Sequence, residues 1–182
     1  MRTEHIVIKD YTPEWKTEFQ KIVASLGNEI LAKSLSIEHV GSTSVENLAA
    51  KPIIDMDIVI PDMSVFPEMK SLLEKKGYRH EGNLGIEGRE AFSYEEKPEL
   101  MVHHLYVCPS DSKELKRHIA FRDYLRTHPH LAEEYAEVKR EAARLYPKDI
   151  DKYLEYKGKF IESVYLPVSY THLRAHETRH DL

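Results

Sequence analysis

The chain has 182 residues and a net charge of −5, enough for one domain with a proper core. That balance argues against a broad basic nucleic-acid surface while leaving room for a local basic pocket. A single cysteine, Cys108, excludes an internal disulfide and a cysteine-built structural zinc; no apolar run approaches a membrane span, and the polar residues 1–5 lack the apolar stretch of a signal peptide, so the expected compartment is a reducing cytoplasm.

Residues 5–9 read as a short strand. Thr12, Pro13 and Glu14 open a helix, with Thr12 as N-cap and Pro13 at the first helical position. Trp15, Phe19, Ile22, Val23, Leu26 and Ile30 recur at helical spacing, which carries the helix to the neighbourhood of Lys33. Residues 35–40 form a strand running into Gly41-Ser42-Thr43. Residues 44–50 read as a short helical turn that ends before Lys51-Pro52.

The strand expected over residues 53–60 organises the chain. Ile53, Ile54, Ile58, Val59 and Ile60 are apolar on both faces, as in a central strand covered on both sides. Asp55 and Asp57 interrupt it, and strand geometry sends both side chains to the same face. Neighbouring carboxylates on an apolar strand repel each other unless something positive sits between them, and a hard oxygen site favours Mg²⁺. The alternative is a strand end with its acids facing solvent. Upstream, Gly41 lets a ligand approach the backbone, while Ser42, Thr43 and Ser44 bring hydroxyls to the start of the following turn, whose free N–H groups suit a phosphate.

Pro61-Asp62 opens a second helix carrying Val65, Met69, Leu72 and Leu73, with Gly77 placed to end it. Tyr78 begins another extended stretch, residues 81–89 form a loop, and residues 91–94 and 100–107 read as antiparallel strands. The remainder is helical. Ser112 caps a helix with Leu115, Ile119, Phe121, Tyr124 and Leu125 that breaks at His128-Pro129; a second run carries Leu131, Tyr135, Val138, Ala142 and Leu145 up to Pro147; a third carries Ile150, Tyr153, Leu154, Lys157, Phe160, Ile161 and Val164.

A hydrophobic residue, Gly-Ser, a spacer and then Asp-x-Asp between apolar residues resembles the pattern of the nucleotidyltransferase (polymerase-β-like) superfamily. The stretch Glu38-His39-Val40-Gly41-Ser42-Thr43, with residues 48–55, is more specifically similar to the GrpB family, and Phe121-Arg122-Asp123-Tyr124-Leu125-Arg126 and Glu134-Tyr135-x-x-x-Lys139 resemble that family's helical half. The resemblance implies one α/β (α+β) domain over residues 1–166, a nucleotidyltransferase-like mixed β-sheet with flanking helices and a C-terminal helical half. It also implies a Mg²⁺-dependent transfer of a nucleotidyl group from a nucleoside triphosphate to an unknown acceptor, or a catalytically silent module that binds a nucleotide or other phosphorylated ligand. Some relatives resemble this arrangement fused to a dephospho-CoA kinase, which implies a link to coenzyme A metabolism.

On this reading Asp55 and Asp57 hold Mg²⁺, and Gly41, Ser42 and Thr43 contact phosphate. Lys51 either neutralises a phosphate or pairs with an acid. His39 either contacts base or phosphate or is a hydrogen-bonded structural histidine. Lys157 falls on the apolar stripe of the last helix and either snorkels to the surface or points into a polar cleft; Arg122 either meets a triphosphate or pairs with Asp123 and nearby glutamates. Such transferases usually carry a third carboxylate on an adjacent strand. Here His104, which matches the histidine of the family's strand, is the expected residue at that position, with Glu90 as the acidic alternative.

Residues 167–182 show no apolar period and no capping logic and resemble a vector-derived translation, so they are read as an unstructured, non-native tail. His172, His176 and His180 mimic a metal motif by spacing alone.

Overall fold

A computed structural model of the chain describes residues 5–168, with side chains as far as Val164. The three tail histidines, and all of the tail after Val168, lie outside the described residues.

The expected α/β architecture is present. Helix α1 (Glu14–Leu26) leads into the short α2 (Asn28–Lys33), followed by strand β1 (Ser36–Val40) and a 3₁₀ turn at Ser42–Ser44. Strand β2 (Ile54–Ile60) precedes α3 (Phe66–Lys75), then β3 (Arg79–Gly82), β4 (Glu90–Ser93) and β5 (His103–Pro109). Three helices follow among the described residues: α4 (Lys113–Thr127), α5 (Pro129–Leu145) and α6 (Ile150–Val168). None of the described helices is long and apolar enough to cross a membrane.

The five strands form one mixed sheet in the order β1-β2-β5-β4-β3. β2 pairs antiparallel with β1 and parallel with β5, and β4 pairs antiparallel with both β5 and β3. Alternation along β2 sorts its side chains. Ile54, Met56, Ile58 and Ile60 enter the main core with Leu105 and Val107 of β5, under Trp15, Ile22 and Leu26 of α1, Ile30 of α2 and Met69 and Leu73 of α3. Asp55, Asp57 and Val59 face the other way, toward the C-terminal helices. There Val59, Cys108 and Leu115 pack together, and Val45, Leu48 and Ala49 of the loop before β2 bury against Phe121, Tyr135, Ile161 and Val164.

Several local expectations change. Residues 5–9 do not join the sheet: one bridge links Lys9 to Ala50, Ile6 N–H donates to the Pro147 carbonyl at 2.8 Å, and Ile6 packs against Ala142 and Tyr153. Their alternating pattern serves a helix surface instead. The first helix is cut at Gly27, whose φ of 85° is left-handed and breaks the α-helical hydrogen bonding. Thr12 Oγ1 accepts from Glu14 N–H at 3.2 Å, as a cap should. The turn expected over 44–50 is the shorter 3₁₀ turn at Ser42–Ser44, and α3 starts only after a second 3₁₀ turn, Met63–Val65, held by Asp62 accepting from Ser64 N–H. β5 begins at His103 rather than residue 100. Ser112 caps α4 by accepting from Leu115 N–H at 3.1 Å. Helix α6 carries the expected apolar run and reaches Val168.

Candidate active site

Register puts the acids of β2 beside specific neighbours. Asp55 lies opposite Val40 on β1 and His104 on β5, while Asp57 lies opposite Glu38 and Tyr106. His104 Nδ1 donates to Asp55 Oδ1 at 2.9 Å; the Asp55 side chain is 23% exposed and that of His104 52%, so this pair opens to solvent. Burial works to raise the Asp55 carboxyl, but the hydrogen bond from His104 and the positive charges of His104, Lys157 and Lys51 outweigh it and hold the group below the usual carboxylate range.

Asp57 is fully buried. His118 of α4 donates from Nδ1 to Asp57 Oδ2 at 2.8 Å, and Glu114, 3.6 Å from His118 Nε2, is held in turn by Arg117 at 2.9 Å. Asp57 Oδ1 has no hydrogen-bond partner among the described residues. Sequence reasoning did not single out His118; its place on the sheet-facing side of α4, one turn from Leu115, was the available signal.

Gly41 explains itself through Asp55. Its φ is 73°, and a Cβ there would strike Asp55 Oδ2 and approach Asp55 Cβ and Cγ at 3.1 Å. Only glycine lets the turn lie directly on the carboxylate. Beyond it, Ser44 Oγ donates to the Gly41 carbonyl at 2.5 Å and Ser42 is half-buried. Thr43 is buried, accepts from His39 Nε2 at 2.9 Å and reaches the Ile53 carbonyl at 3.4 Å, so its hydroxyl is spent within the loop.

On the side of the C-terminal helices, Lys51 Nζ stands 5.2 Å and Lys157 Nζ 5.5 Å from the centre of the Tyr153 ring. Lys157 is buried rather than snorkelling to the surface. Burial lowers the Lys51 ammonium against the opposing pull of Asp55. A third lysine, Lys139 of α5, is also buried, with Nζ 4.4 Å over the Tyr135 ring. Burial first, then repulsion from Lys157, Lys51 and Arg140, drives its ammonium well below the ordinary lysine value, Asp55 opposing. Sequence reasoning gave Lys139 no role, although it stands one turn from Tyr135 on the apolar stripe of α5, the same signal that marked Lys157.

His39 and Arg122 go elsewhere. His39 lies opposite Met56, on the face away from Asp55, stacked on Phe19 with ring centres 4.6 Å apart; burial lowers its pKa to about 4, leaving a neutral imidazole. Arg122 donates to Glu38 at 2.9 Å and to the His39 carbonyl at 3.1 Å, tying α4 to edge strand β1. Both line a cleft of about 960 Å³ between α1, β1 and α4 that also includes Glu38, Thr43 and Arg126. Glu90 lies opposite Val107, on the core-facing side, and is bonded to His80 at 3.0 Å. It cannot be the third carboxylate of the Asp55 face, which leaves His104 at that place.

The chain is similar to the family described as GrpB protein across residues 5–166. It is 34% identical over 157 residues to the UPF0157 protein YqkA of Bacillus subtilis, covering 84% of this chain but only 44% of that protein's length. The crystal structure of the conserved protein GrpB from Enterococcus faecalis superposes with a TM-score of 0.71 at 32% identity, over 87% of this chain and 99% of that one. Cid1 in complex with its short product ApU superposes at a TM-score of 0.52 and 12% identity, over 74% of this chain and 43% of that one, a likeness of fold that makes this a nucleotidyltransferase-like α/β architecture. Since the match takes in the sheet, the Gly41 turn, both β2 acids and the three helices that cover them, the chain belongs to the GrpB family.

Proposed function

We propose that the chain binds a nucleoside triphosphate with one Mg²⁺ ion on the Asp55–Asp57 face of β2 and transfers its nucleotidyl group to an acceptor hydroxyl or amine. The observation that carries this reading is the pairing of the two acids on one face of β2, with Asp55 directly against Gly41 and Asp57 Oδ1 buried without a hydrogen-bond partner among the described residues. Carboxylate oxygens of this kind fit one hard cation. When bound, the ion stabilises charge during in-line attack at the α-phosphorus, with pyrophosphate leaving. Asp55 and Asp57 hold the ion, Ser42 and the N–H groups of its turn hold phosphate oxygens, and Lys51 and Lys157 add positive charge. His104 orients Asp55 from the position where a third acid would stand.

A second reading, nucleotide binding without transfer, draws on that same substitution. With His104 in place of an acid and one oxygen of Asp57 committed to His118, the donor set suits one ion better than two.

The test is thermal melting of the full chain with ATP, GTP, CTP and UTP, each with and without Mg²⁺, followed by pyrophosphate release with the nucleotide that binds. A Mg²⁺-dependent rise in Tm that disappears in Asp55→Asn supports the site, because a ligand specific to the native state raises Tm by mass action. Pyrophosphate release supports transfer; binding without release selects the second reading. No shift with any nucleotide, with or without Mg²⁺, removes both.

A further inference from the structure

The Asp55 carboxylate stands between two different groups. Its Oδ1 accepts from His104 Nδ1 at 2.9 Å on the β5 side, while its Oδ2 is the atom that a Cβ on Gly41 would strike on the β1 side. Register sets this order: Val40, next to Gly41, lies opposite Asp55 across one edge of β2, and His104 lies opposite it across the other. The Gly41 turn and the His104 imidazole therefore flank one carboxylate from opposite sides, on strands spaced about 4.8 Å apart. Asp55 is held as a carboxylate and can only accept, so Nδ1 carries the proton of the neutral imidazole and Nε2 carries the lone pair. Nε2 makes no hydrogen bond among the described residues, and the His104 side chain is half exposed. A pair as open as this contributes little to stability. An imidazole fixed by a carboxylate at one nitrogen and open at the other is the arrangement of an oriented nucleophile.

We propose that His104 is the nucleophile of a double displacement, in which its Nε2 attacks the α-phosphorus of the bound nucleoside triphosphate and forms a nucleotidyl-histidine. The Nε2–P bond forms while the bond from the α-phosphorus to the oxygen bridging the β-phosphate breaks, and pyrophosphate leaves with that electron pair. The ring becomes a cation whose Nδ1 proton stays on the hydrogen bond to Asp55, and the carboxylate offsets its charge. In the second step an acceptor hydroxyl or amine bonds to the phosphorus and the Nε2–P bond breaks, its electron pair returning to Nε2. The acceptor's proton passes to solvent, to which His104 is open. The two sides of Asp55 suit an in-line first step, with the leaving group held at the Gly41 turn and the attacking nitrogen across from it. The proposal rests on the reading of the site above and names the group that attacks. A histidine where a third acid would stand then has a chemical role of its own.

The first step needs no acceptor. The full chain is incubated with Mg²⁺ and each of ATP, GTP, CTP and UTP labelled at the α-phosphorus, and exchange of labelled pyrophosphate into the nucleotide is followed in parallel. One nucleotide is expected to leave an acid-labile, alkali-stable label, placed on His104 by mass spectrometry, and to support exchange. His104→Ala should lose label and exchange to background, and added imidazole should restore pyrophosphate release by supplying the missing nitrogen. His104→Gln serves if the alanine variant does not fold. His130→Ala removes another exposed histidine and should keep both signals in full. Two in-line steps each invert the phosphorus, so an α-thio nucleotide of one configuration should give a product of retained configuration. Product of inverted configuration from an unlabelled protein overturns the proposal and leaves the transferase reading standing. A label on another residue overturns it as well. Nucleotide binding with neither label nor exchange overturns it and selects binding without transfer. Absence of binding by any nucleotide removes the reading of the site, and the proposal with it.

Discussion

His118 Nδ1 and Asp57 Oδ2 lie 2.8 Å apart, joining α4 to the centre of the sheet between two fully buried side chains. A buried charge that loses its partner stays buried. His118→Leu is therefore expected to lower unfolding free energy by about 3–5 kcal/mol. The double variant Asp57→Asn/His118→Leu should cost clearly less than the sum of its singles, because it removes the stranded charge together with its partner. Urea denaturation of the four proteins measures this, and simple additivity would show that the contact is energetically idle.

Gly41 predicts a different kind of failure. Gly41→Ala places a side chain at a left-handed φ and against Asp55. A cost of about 1–3 kcal/mol follows from the backbone conformation alone. Since Asp55 must shift to make room, any Mg²⁺-dependent nucleotide stabilisation should be lost as well. Urea melts paired with nucleotide thermal shifts would show both effects, and an Ala variant that keeps the shift would free Asp55 of its dependence on the turn.

His39 sets a pH limb. Its folded pKa is about 4 against an ordinary 6.5, so between those values the unfolded chain binds a proton that the folded chain does not. Its stabilising effect is complete above pH 6.5 and is lost progressively as pH falls toward 4, by at most about 3 kcal/mol. His39→Gln keeps a hydrogen-bonding side chain without the titration, and its Tm should fall less between pH 7 and pH 4.5 than that of the parent chain. Parallel Tm curves for the two proteins would remove His39 from the account.

Two arginine pairs should behave unequally. Arg122 and Glu38 are only 11% and 27% exposed, and Arg122 also holds the His39 carbonyl. Arg122→Met is expected to cost about 1.5–3 kcal/mol, the range for hydrogen bonds to charged groups. Arg140 and Asp10 are 43% and 91% exposed, and Asp10→Asn should change stability by less than about 0.5 kcal/mol. Denaturant midpoints decide the ranking, and equal effects would contradict burial as its cause.

Much of the fold was legible in the chain itself because it is local. The run from Ile54 to Ile60 specifies a covered central strand, a two-residue period puts Asp55 and Asp57 on one face, and Ser112 announces the start of α4. The apolar stripe of α6 marked Lys157 but left open whether it snorkelled to the surface or turned inward, and the structure buries it. Periodicity, however, states which residues of an element turn inward and not what they meet. That His118 would reach Asp57 across 61 residues of sequence, that Glu90 would turn to the core side, and that Lys139 would join Lys51 and Lys157 were decided by how α4, α5 and α6 pack on the sheet. Residues 5–9 make the same point: alternation suited a strand, yet the free backbone was taken up at Ala50 and Pro147 and the apolar side chains by α5 and α6. Local sequence determined the elements and their inward faces through sterics and burial. Only tertiary packing decided which buried charges found partners and which were left open, because that depends on contacts between residues far apart in the chain.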